Sequence, residues 1–596
     1  MSVLDRIERL RNVMEQQKVD CYIIPTDDYH HSEYVGDYFK FREYITGFTG
    51  SAGTAVFTKD KAGLWTDGRY FIQAEAQLKG SGITLYKSGE SDVPTIEEFL
   101  KSELKEGDVL GFDGRTVTYA QGKRYCHIAD ENGASLKYSL DFAQNIWKER
   151  PEMSMESVFS LADEYTGEKI GSKLERIREI MKENGCNAHV LSSLDDIAWL
   201  LNIRGNDIAY CPLVLSYAIV YNNSVELFAD IRKFSDDIIN LLAENQVKIY
   251  PYEGIYRKVS EMTSEDKLLL DSSIMNYSLY QAISKETVII DKQNPEILMK
   301  SVKNETQAEN LRKAHLKDAV AHTKFMYWLK KNIGRVEITE LSASARLEGL
   351  RAEQEHFLGP SFGPISAYGE HGAIVHYSAD EKSNVPLKEG KLFMTDTGGH
   401  YLEGSTDITR TVALGEVGNI EKEHFTLVAR AMLRLANTVF LYGCSGANLD
   451  CIAREVFWKE GLNFNHGTGH GVGYLLNIHE GPINFRWKEG ERPAPALEEN
   501  MVITDEPGIY IEGSHGIRLE NELLVRKTVK NEYGQFMNFE ILTYVPIDLD
   551  AILPEKMSIE EKEMLNHYHK QVYEKVSPYL SEEERIWLKE YTRAVK

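Results

Sequence analysis

The sequence predicts a multidomain protein of mixed α/β and α+β class, with two α/β domains of one kind in tandem and a larger α+β domain after them. Three observations support this architecture. The chain has 596 residues, 42% of them hydrophobic, which is more than one hydrophobic core accommodates. A helix-strand unit occurs twice in the first half. From about residue 303, long helical patterns are followed by glycine-rich, strand-like segments.

The repeated unit begins with an amphipathic helix that leads into a short apolar strand. The first copy reads LDRIERLRNVMEQQKVD and then CYIIP, and the second reads LERIREIMKENGCNA and then HVLSS. A β-rich run follows in each copy, KAGLWTDGRYF and SVELFADIRKF. The alternative is a chance likeness between two generic helix-strand units. We predict domains at residues 1–155, 156–302 and 303–596, the last ending in two helices divided near Ser577.

The charge balance argues against two classes of partner. The chain carries 68 Lys and Arg against 92 Asp and Glu, a formal charge of -24, which repels phosphate backbones and anionic lipid surfaces. We therefore expect no nucleic acid and no membrane as partners. The N-terminal residues lack the apolar block of a signal peptide, and the six cysteines include no C-x-x-C pair. The expected location is the cytoplasm, with reduced thiols.

Two acidic hairpins are predicted in the third domain. Asp396 and Asp407 lie at equal distances from the centre of LFMTDTGGHYLEGSTDITRTV, and Glu506 and Glu520 lie at equal distances from Gly513 in VITDEPGIYIEGSHGIRLENELLV. Directly opposed residues have Cβ atoms about 4.5 to 5.5 Å apart, and like charges so placed repel unless a cation lies between them. One such pair is usually just solvated, but two pairs in one domain favour a cation site.

A histidine-rich segment, FNHGTGHGVGYLLNIHEGP, lies between the two hairpins. It contains His466, His470 and His479, and neutral imidazole is a common metal ligand. A lone histidine is more often structural, but three in the domain of four acidic candidates predict a metal site. The negative charges of four carboxylates balance the positive charges of two divalent cations. An oxygen-rich set with one nitrogen suits Mn(II) better than a structural zinc site, and Co, Fe and Zn stay open as alternatives.

The motif series GAIVHY, TDTGGHYLEGSTDITRT, HGTGHGVG, NIHEGP, TDEPGIY and GIRLEN resembles the metallopeptidases of the pita-bread fold. That family includes methionine aminopeptidase, prolidase, aminopeptidase P and the non-peptidase creatinase. The resemblance to the three-domain cytosolic form of aminopeptidase P runs along essentially the whole chain. It implies two tandem creatinase-N-like α/β domains followed by a C-terminal pita-bread α+β catalytic domain.

The resemblance also assigns roles to individual residues. It places the five metal ligands at Asp396, Asp407, His470, Glu506 and Glu520. In the family pattern, Asp396 serves one metal, His470 and Glu506 serve the other, and Asp407 and Glu520 bridge both.

Substrate and the tetrahedral intermediate would be handled by His376, His466 and His479, and Glu506 would accept a proton from water. A substrate contact is implied for Arg69, which on sequence alone resembles an exposed turn residue.

The position of Arg518, two residues before Glu520, is consistent either with a role near the site or with an ion pair within the ligand shell. His371, His400 and His515 match no family position and are expected to be surface or structural residues.

The implied reaction is hydrolysis of the bond between an N-terminal residue and a penultimate proline, by a hydroxide that bridges two divalent metals. The implied partners are peptides with proline at the second position and a second copy of the chain in a homodimer. One alternative is an Xaa-Pro dipeptidase, or prolidase, which differs in what closes the product side of the cleft. Another is a pita-bread protein that binds without catalysis. Such proteins typically lose ligands, whereas all five positions are kept here.

Overall fold

The computed structural model of the chain describes residues 1–488, 490 and 493–596. These residues form two compact units. The first unit comprises Met1–Leu161 and Glu168–Glu296, and the second comprises Ala162–Gly167 and Ile297–Lys596. The domain boundaries at residues 155 and 302 stay predictions.

The first half of the first unit is a six-stranded sheet with helices. Its strands are β1 (Cys21–Pro25), β2 (Thr54–Thr58), β3 (Ala62–Thr66), β4 (Thr84–Lys87), β5 (Val109–Phe112) and β6 (Ser135–Lys137). Its helices are α1 (Val3–Gln16), α2 (Phe41–Thr46), α3 (Phe71–Gln77), α4 (Ile96–Glu103), α5 (Tyr119–Glu131) and α6 (Ala143–Ile146). The strand order is β4-β3-β2-β1-β5-β6.

The second half follows the same plan. Its strands are β7 (Phe159–Ser160), β8 (Ala188–Leu191), β9 (Ile203–Arg204), β10 (Tyr217–Tyr221), β11 (Val225–Phe228), β12 (Val247–Tyr250), β13 (Lys267–Leu270) and β14 (Val288–Asp291). The helices between residues 162 and 302 are α7 (Asp163–Thr166), α8 (Ile170–Glu183), α9 (Leu194–Leu200), α10 (Asp236–Glu244), α11 (Gly254–Ser260), α12 (Tyr277–Ala282) and α13 (Pro295–Ser301). Its six-stranded sheet has the order β12-β11-β10-β8-β13-β14.

The two sheets correspond strand for strand in order and direction. In the first, β1 is antiparallel to β2 and parallel to β5. In the second, β8 is antiparallel to β10 and parallel to β13. Helices α1 and α8 bury apolar residues at the same spacing, Ile7, Leu10 and Met14 in one and Leu174, Ile177 and Met181 in the other. The predicted repeat of α/β domains is confirmed.

The second unit is α+β. Its helices beyond residue 302 are α14 (Glu305–Asn332), α15 (Glu340–Ala352), α16 (Asn419–Ala436), α17 (Gly446–Trp458), α18 (Ile559–Val576) and α19 (Glu582–Tyr591). Its strands are β15 (Phe357–Pro360), β16 (Ile365–Tyr368), β17 (Lys391–Thr397), β18 (Gly399–Tyr401), β19 (Gly404–Ser405), β20 (Ile408–Leu414), β21 (Phe440–Leu441), β22 (Gly469–Val472), β23 (His479–Phe485), β24 (Val502–Asp505), β25 (Gly508–Ile511), β26 (His515–Arg518), β27 (Asn521–Asn531) and β28 (Gly534–Ile541).

Three sheets and a hairpin organise these strands. A six-stranded sheet has the order β21-β28-β27-β24-β22-β23, and two three-stranded sheets have the orders β16-β17-β20 and β15-β18-β19. Strands β25 and β26 form a separate hairpin. Helices α14 and α15 pack on each other, as do α16 and α17. Together with the strands they enclose the main hydrophobic core of this unit.

Two further expectations can be compared with the helices. The C-terminal extension consists of α18 and α19, which are divided at Ser577 as predicted. Within residues 1–488, 490 and 493–596, none of the helices combines the length and apolarity that a bilayer span requires.

Candidate metal centre

The second acidic hairpin has the register that its sequence predicts. Strand β24 pairs with β27 so that Asp505 lies opposite Asn521, and β25 pairs with β26 so that Gly508 lies opposite Arg518. Both ladders therefore have one common register, in which Glu506 is directly opposite Glu520. The ladder is interrupted at these two residues. Their amides donate outwards, Glu506 N to Thr468 O at 2.8 Å and Glu520 N to Thr409 O at 3.1 Å.

The first acidic hairpin differs from its expected register. Asp396 of β17 lies opposite Thr409 of β20, so Asp407 is its diagonal neighbour and not its directly opposed partner. The physical reason is the position of the turn. The same register continues into β18 and β19, where Tyr401 pairs with Gly404, so the hairpin turns at Leu402 and Glu403, one residue further along the chain than the midpoint of the two acids. Diagonal neighbours lie on the same face of the sheet and stay within reach of one cation pair.

The structure brings the five predicted ligands together. Asp396, Asp407 and Glu520 each offer an oxygen within 4.8 Å of the others. His470, Glu506 and Glu520 form a second such group. Asp407 and His470 form a third with His479. Asp407, His470 and Glu520 belong to two groups each, so the three groups overlap. Which of these residues bridges two cations stays a prediction.

The two ring nitrogens of His470 face different neighbours. Its Nδ1 lies 2.9 Å from the carbonyl oxygen of Gly471, an acceptor, which places the proton on Nδ1 of the neutral ring. Its Nε2 lies 3.4 Å from Asp407 Oδ2 and 3.8 Å from Glu506 Oε1. The lone pair of Nε2 is therefore directed at the carboxylates.

The electrostatics of the cluster favour bound cations. Burial raises the pKa of Asp407 and of Glu520 well above the ordinary values, and neighbouring carboxylates raise both further. Burial also raises the pKa of Glu506, although His470 and Arg518 oppose that change. Oδ1 of Asp396 is buried and has no hydrogen-bond partner among the described residues. Crowded acids with an unsatisfied oxygen fit divalent cations with oxygen-rich coordination.

The predicted substrate histidines lie beside this cluster. His466 Nδ1 is 2.7 Å from Gly467 O and its Nε2 is 2.8 Å from the hydroxyl of Tyr510. Burial, with a contribution from Arg518, lowers the pKa of His466 to about 3. The ring of His479 lies 4.4 Å from that of His470. His376 is near enough to His466 to contribute to the lowering of its pKa.

Arg518 forms an ion pair within the ligand shell, which is one of the two alternatives left open by the sequence. Its Nη2 donates to Asp396 Oδ2, and its Nη1 donates to the hydroxyl of Tyr510 at 2.7 Å. Because Tyr510 accepts from Arg518, its own proton points to His466. Tyr510 is a site residue that was not predicted from the sequence. The predicted register of the second hairpin could have identified it, since Tyr510 and Arg518 are diagonal neighbours in that hairpin.

The three histidines outside the family pattern have local partners. His371 Nδ1 is 2.8 Å from Glu340 Oε1, and the buried His400 is 2.8 Å from the hydroxyl of Ser405. His515 Nε2 is 2.9 Å from Nδ1 of His424.

Arg69 lies in the first unit, in the turn after β3. Its Nε and Nη2 each donate to Asp67 at 2.8 Å, and its backbone amide donates to the same carboxylate at 3.1 Å. The same Asp-x-Arg turn follows β5, at Asp113–Arg115, and β11, at Asp230–Arg232. The turn is thus a local structure that recurs in this unit, and the substrate contact of Arg69 stays a prediction.

Comparison with protein families agrees with this organisation. The model of the creatinase/prolidase N-terminal domain matches residues 6–137, and a second model of that description matches residues 149–307. The model of metallopeptidase family M24 matches residues 309–527, and that of the C-terminal region of peptidase M24 matches residues 535–595. The predicted fold class of two tandem creatinase-N-like domains and a pita-bread catalytic domain is confirmed.

Relatives match over nearly the full length. Xaa-Pro aminopeptidase 1 of Dictyostelium discoideum is 36% identical, covering 97% of this chain and 94% of the relative. Aminopeptidase P1 of Arabidopsis thaliana is 34% identical over 99% of both chains. The crystal structure of X-prolyl aminopeptidase from Caenorhabditis elegans, described as a cytosolic enzyme with a di-nuclear active site, matches with a TM-score of 0.95 and 33% identity over 100% of both chains.

An Xaa-Pro dipeptidase from Bacillus anthracis matches only 64% of this chain, with a TM-score of 0.51 and 24% identity, and shows the fold alone. The converging acid groups and the full-length relatives lead to one conclusion. The chain belongs to metallopeptidase family M24, among its Xaa-Pro aminopeptidases.

Proposed function

We propose that this enzyme removes the N-terminal residue from peptides whose second residue is proline, using two divalent cations. The observation that carries the proposal is the convergence of four carboxylates and one imidazole in overlapping groups. The residues that would hold the cations are Asp396, Asp407, His470, Glu506 and Glu520. When bound, two such cations lower the pKa of a water molecule and polarise the scissile carbonyl.

The chain's own residues would complete the reaction. Glu506, next to His470 and opposite Glu520, accepts the proton that water loses when it attacks the carbonyl carbon of the first residue. Hydrogen bonds from His479 and His376 would hold the substrate and stabilise the oxyanion that develops. His466, whose two ring nitrogens are bonded to Gly467 O and the hydroxyl of Tyr510, would contact the substrate beside them. A histidine would protonate the departing proline nitrogen, which is a tertiary amide nitrogen without an N–H before cleavage. Arg69 is proposed as a substrate contact.

Three finer assignments belong to the same proposal. Mn(II) is the proposed metal because the donor set is rich in oxygen and has one nitrogen. The cytoplasm is the proposed location, supported by six free thiols and by a cytosolic relative. A homodimer is the proposed assembly, on the strength of the family resemblance, and light scattering of the purified protein measures it.

Hydrolysis of Arg-Pro-Pro, with and without added Mn(II), tests the activity. We expect release of arginine that depends on the metal. A dipeptidase would leave this tripeptide intact, and a binding protein would leave both tripeptide and dipeptide intact.

The matched variants are Asp407→Asn and Asp550→Asn, the second at an exposed position of the same unit. Removal of a residue that only orients a metal ligand typically lowers activity ~10 to 100-fold. Asp407→Asn changes a proposed ligand itself, so its activity should fall further. Asp550→Asn should keep full activity. Equal activity of Asp407→Asn and the parent enzyme contradicts the ligand assignment.

A further inference from the structure

We infer that two buried Asp–Arg pairs, Asp318–Arg351 and Asp450–Arg454, position the ligand-bearing segments of the metal centre through threonines that lie one or two residues from a ligand. This inference rests on the ligand assignment proposed above. It gives a function to four charged residues that are not themselves proposed as ligands, all of them in the interior of the second unit.

The first pair joins α14 to α15 and holds both strands of the first acidic hairpin. Nε of Arg351 lies 2.6 Å from Oδ1 of Asp318, and both side chains are buried. Nη2 of Arg351 donates to the carbonyl oxygen of Thr397 at 3.1 Å. The hydroxyl of Thr406 donates to Oδ2 of Asp318. Thr397 directly follows Asp396 and Thr406 directly precedes Asp407, so one ion pair is bonded to the neighbours of two ligands.

The second pair lies within α17 and holds the histidine segment. Nε of Arg454 lies 2.8 Å from Oδ2 of Asp450. Nη2 of Arg454 donates to the carbonyl oxygen of His466 at 2.7 Å, and the hydroxyl of Thr468 donates to Oδ1 of Asp450. Thr468 stands two residues before His470, and its carbonyl oxygen accepts the amide of Glu506 at 2.8 Å. This pair is therefore connected to both residues assigned to one cation.

The two pairs use one arrangement at different places in the fold. In each, the carboxylate accepts a threonine hydroxyl and the guanidinium donates to a main-chain carbonyl of the same segment or hairpin. Buried ion pairs are weak evidence for stability, because desolvation offsets their attraction. Here the ion pairs bind the backbone of segments whose carboxylates repel one another. Removal of residues that orient metal ligands in this way commonly changes metal affinity ~10 to 100-fold.

The threonines allow a test that leaves both ion pairs intact. Thr406→Val and Thr468→Val remove only the hydroxyl, whereas Thr406→Ser and Thr468→Ser retain it. Loss of the Thr406 hydroxyl also removes the acceptor of the Gly399 amide at 2.9 Å, which serine restores.

Thr426→Val is the matched control. Thr426 is buried in the same unit, its hydroxyl donates to Lys422 O at 2.8 Å, and it accepts the amide of Leu553 at 2.9 Å. Neither partner adjoins a proposed ligand.

The experiment titrates the metal-free, full-length protein with Mn(II) and follows free Mn(II) by electron paramagnetic resonance. Thr468→Val should weaken one of two bound ions ~10 to 100-fold, because His470 and Glu506 are assigned to one cation. Thr406→Val should weaken both, because Asp407 is assigned to both. The serine variants should bind as the parent protein does, and so should Thr426→Val.

Two results would overturn the inference. One is parental Mn(II) affinity in both valine variants, and the other is an equal loss in Thr426→Val, which would indicate general loosening of the unit. Failure of the parent protein to bind Mn(II), Co(II) or Zn(II) is a different result, since it would contradict the proposed function itself. Melting temperatures of the metal-free variants, compared with that of Thr426→Val, separate altered ligand placement from lost stability.

Discussion

His569 is a buried histidine that must stay neutral in the folded protein. It lies on α18, and its Nε2 accepts the backbone amide of Ile547 at 3.1 Å. Burial, with Arg410 nearby, lowers its pKa from the ordinary 6.5 to about 3. Between these values the unfolded chain binds a proton that the folded chain does not. The contribution of neutral His569 to the free energy of unfolding is therefore complete above pH 6.5 and is lost as the pH falls toward 3.

Replacement of His569 by glutamine, which keeps an acceptor but does not titrate, should remove this pH dependence. The difference in unfolding free energy between parent and variant should shrink by about 2 kcal/mol from pH 7 to pH 5. Urea unfolding of the metal-free proteins measures it. His567→Gln, at an exposed site on the same helix, serves as the control. Parallel curves for the parent and His569→Gln would contradict the prediction.

Single residues differ in how far the sequence alone locates them. Spacing within a hairpin pointed to Glu506 and Glu520, because two residues on one ribbon are related by a local register. Asp318 and Arg351 carry no such signal, since they lie on different helices and meet only through the packing of α14 on α15. Asp450 and Arg454 have the i,i+4 spacing of a helical ion pair, but that spacing does not show what else the pair contacts.

At the scale of elements, β22 approaches β24 closely at Gly469. A Cβ at this position would lie 1.8 Å from the carbonyl oxygen of Thr504, and the hydroxyl of Thr504 accepts the amide of His470 at 3.1 Å. Glycine is therefore required where the histidine strand meets the glutamate strand.

Gly469→Ala should push these two strands apart. We expect the metal-free protein to lose about 1 to 3 kcal/mol of unfolding free energy, the usual cost of overpacking, together with Mn(II) affinity. Gly349→Ala is the control, because its Cβ meets nothing within 4 Å on the exposed side of α15. That variant should be unchanged or more stable by up to ~1 kcal/mol. Equal stability of the two variants in urea would refute the close-contact argument.

Hairpin geometry was only partly predictable. The second acidic hairpin kept the register expected from its symmetry about Gly513, whereas the first did not, because it turns between the paired Tyr401 and Gly404, one residue beyond the midpoint of its two acids. Symmetric spacing identifies a ribbon, but a turn displaced by one residue is not visible in the spacing of two acids. The diagonal relation of Asp396 and Asp407 therefore required the structure.

At the scale of the whole molecule, bound cations should stabilise the fold. A ligand that binds only the folded state at 100 times its dissociation constant adds ~2.7 kcal/mol to the unfolding free energy. Adding Mn(II) to chelator-treated protein should raise the melting temperature, and Asp407→Asn should lose most of that gain. The same upward shift in Asp407→Asn would show that the stabilising metal binds elsewhere.

The duplicated sheets supply an internal control for Arg69. Arg69→Ala and Arg232→Ala each break an Asp-x-Arg turn after the equivalent strands β3 and β11. If Arg69 contacts substrate, its replacement should raise KM for an X-Pro-Y peptide, while replacement of Arg232 should not. Steady-state kinetics decide this, and equal KM values for both variants and the parent would leave Arg69 with a purely structural role. The duplication could be predicted from the sequence, because the helix-strand pattern of each copy is local. A substrate contact made by the turn of one copy and not by that of the other cannot be predicted in this way.

The shared register on either side of Glu506 and Glu520 limits how this part of the chain can change in length. One residue gained or lost in either arm of the ribbon would turn one of the two carboxylates to the opposite face, while the tip around Gly513 lies beyond the last ladder pair, Ile511 with His515. Natural insertions and deletions in relatives should therefore gather at the tip and be absent from the arms.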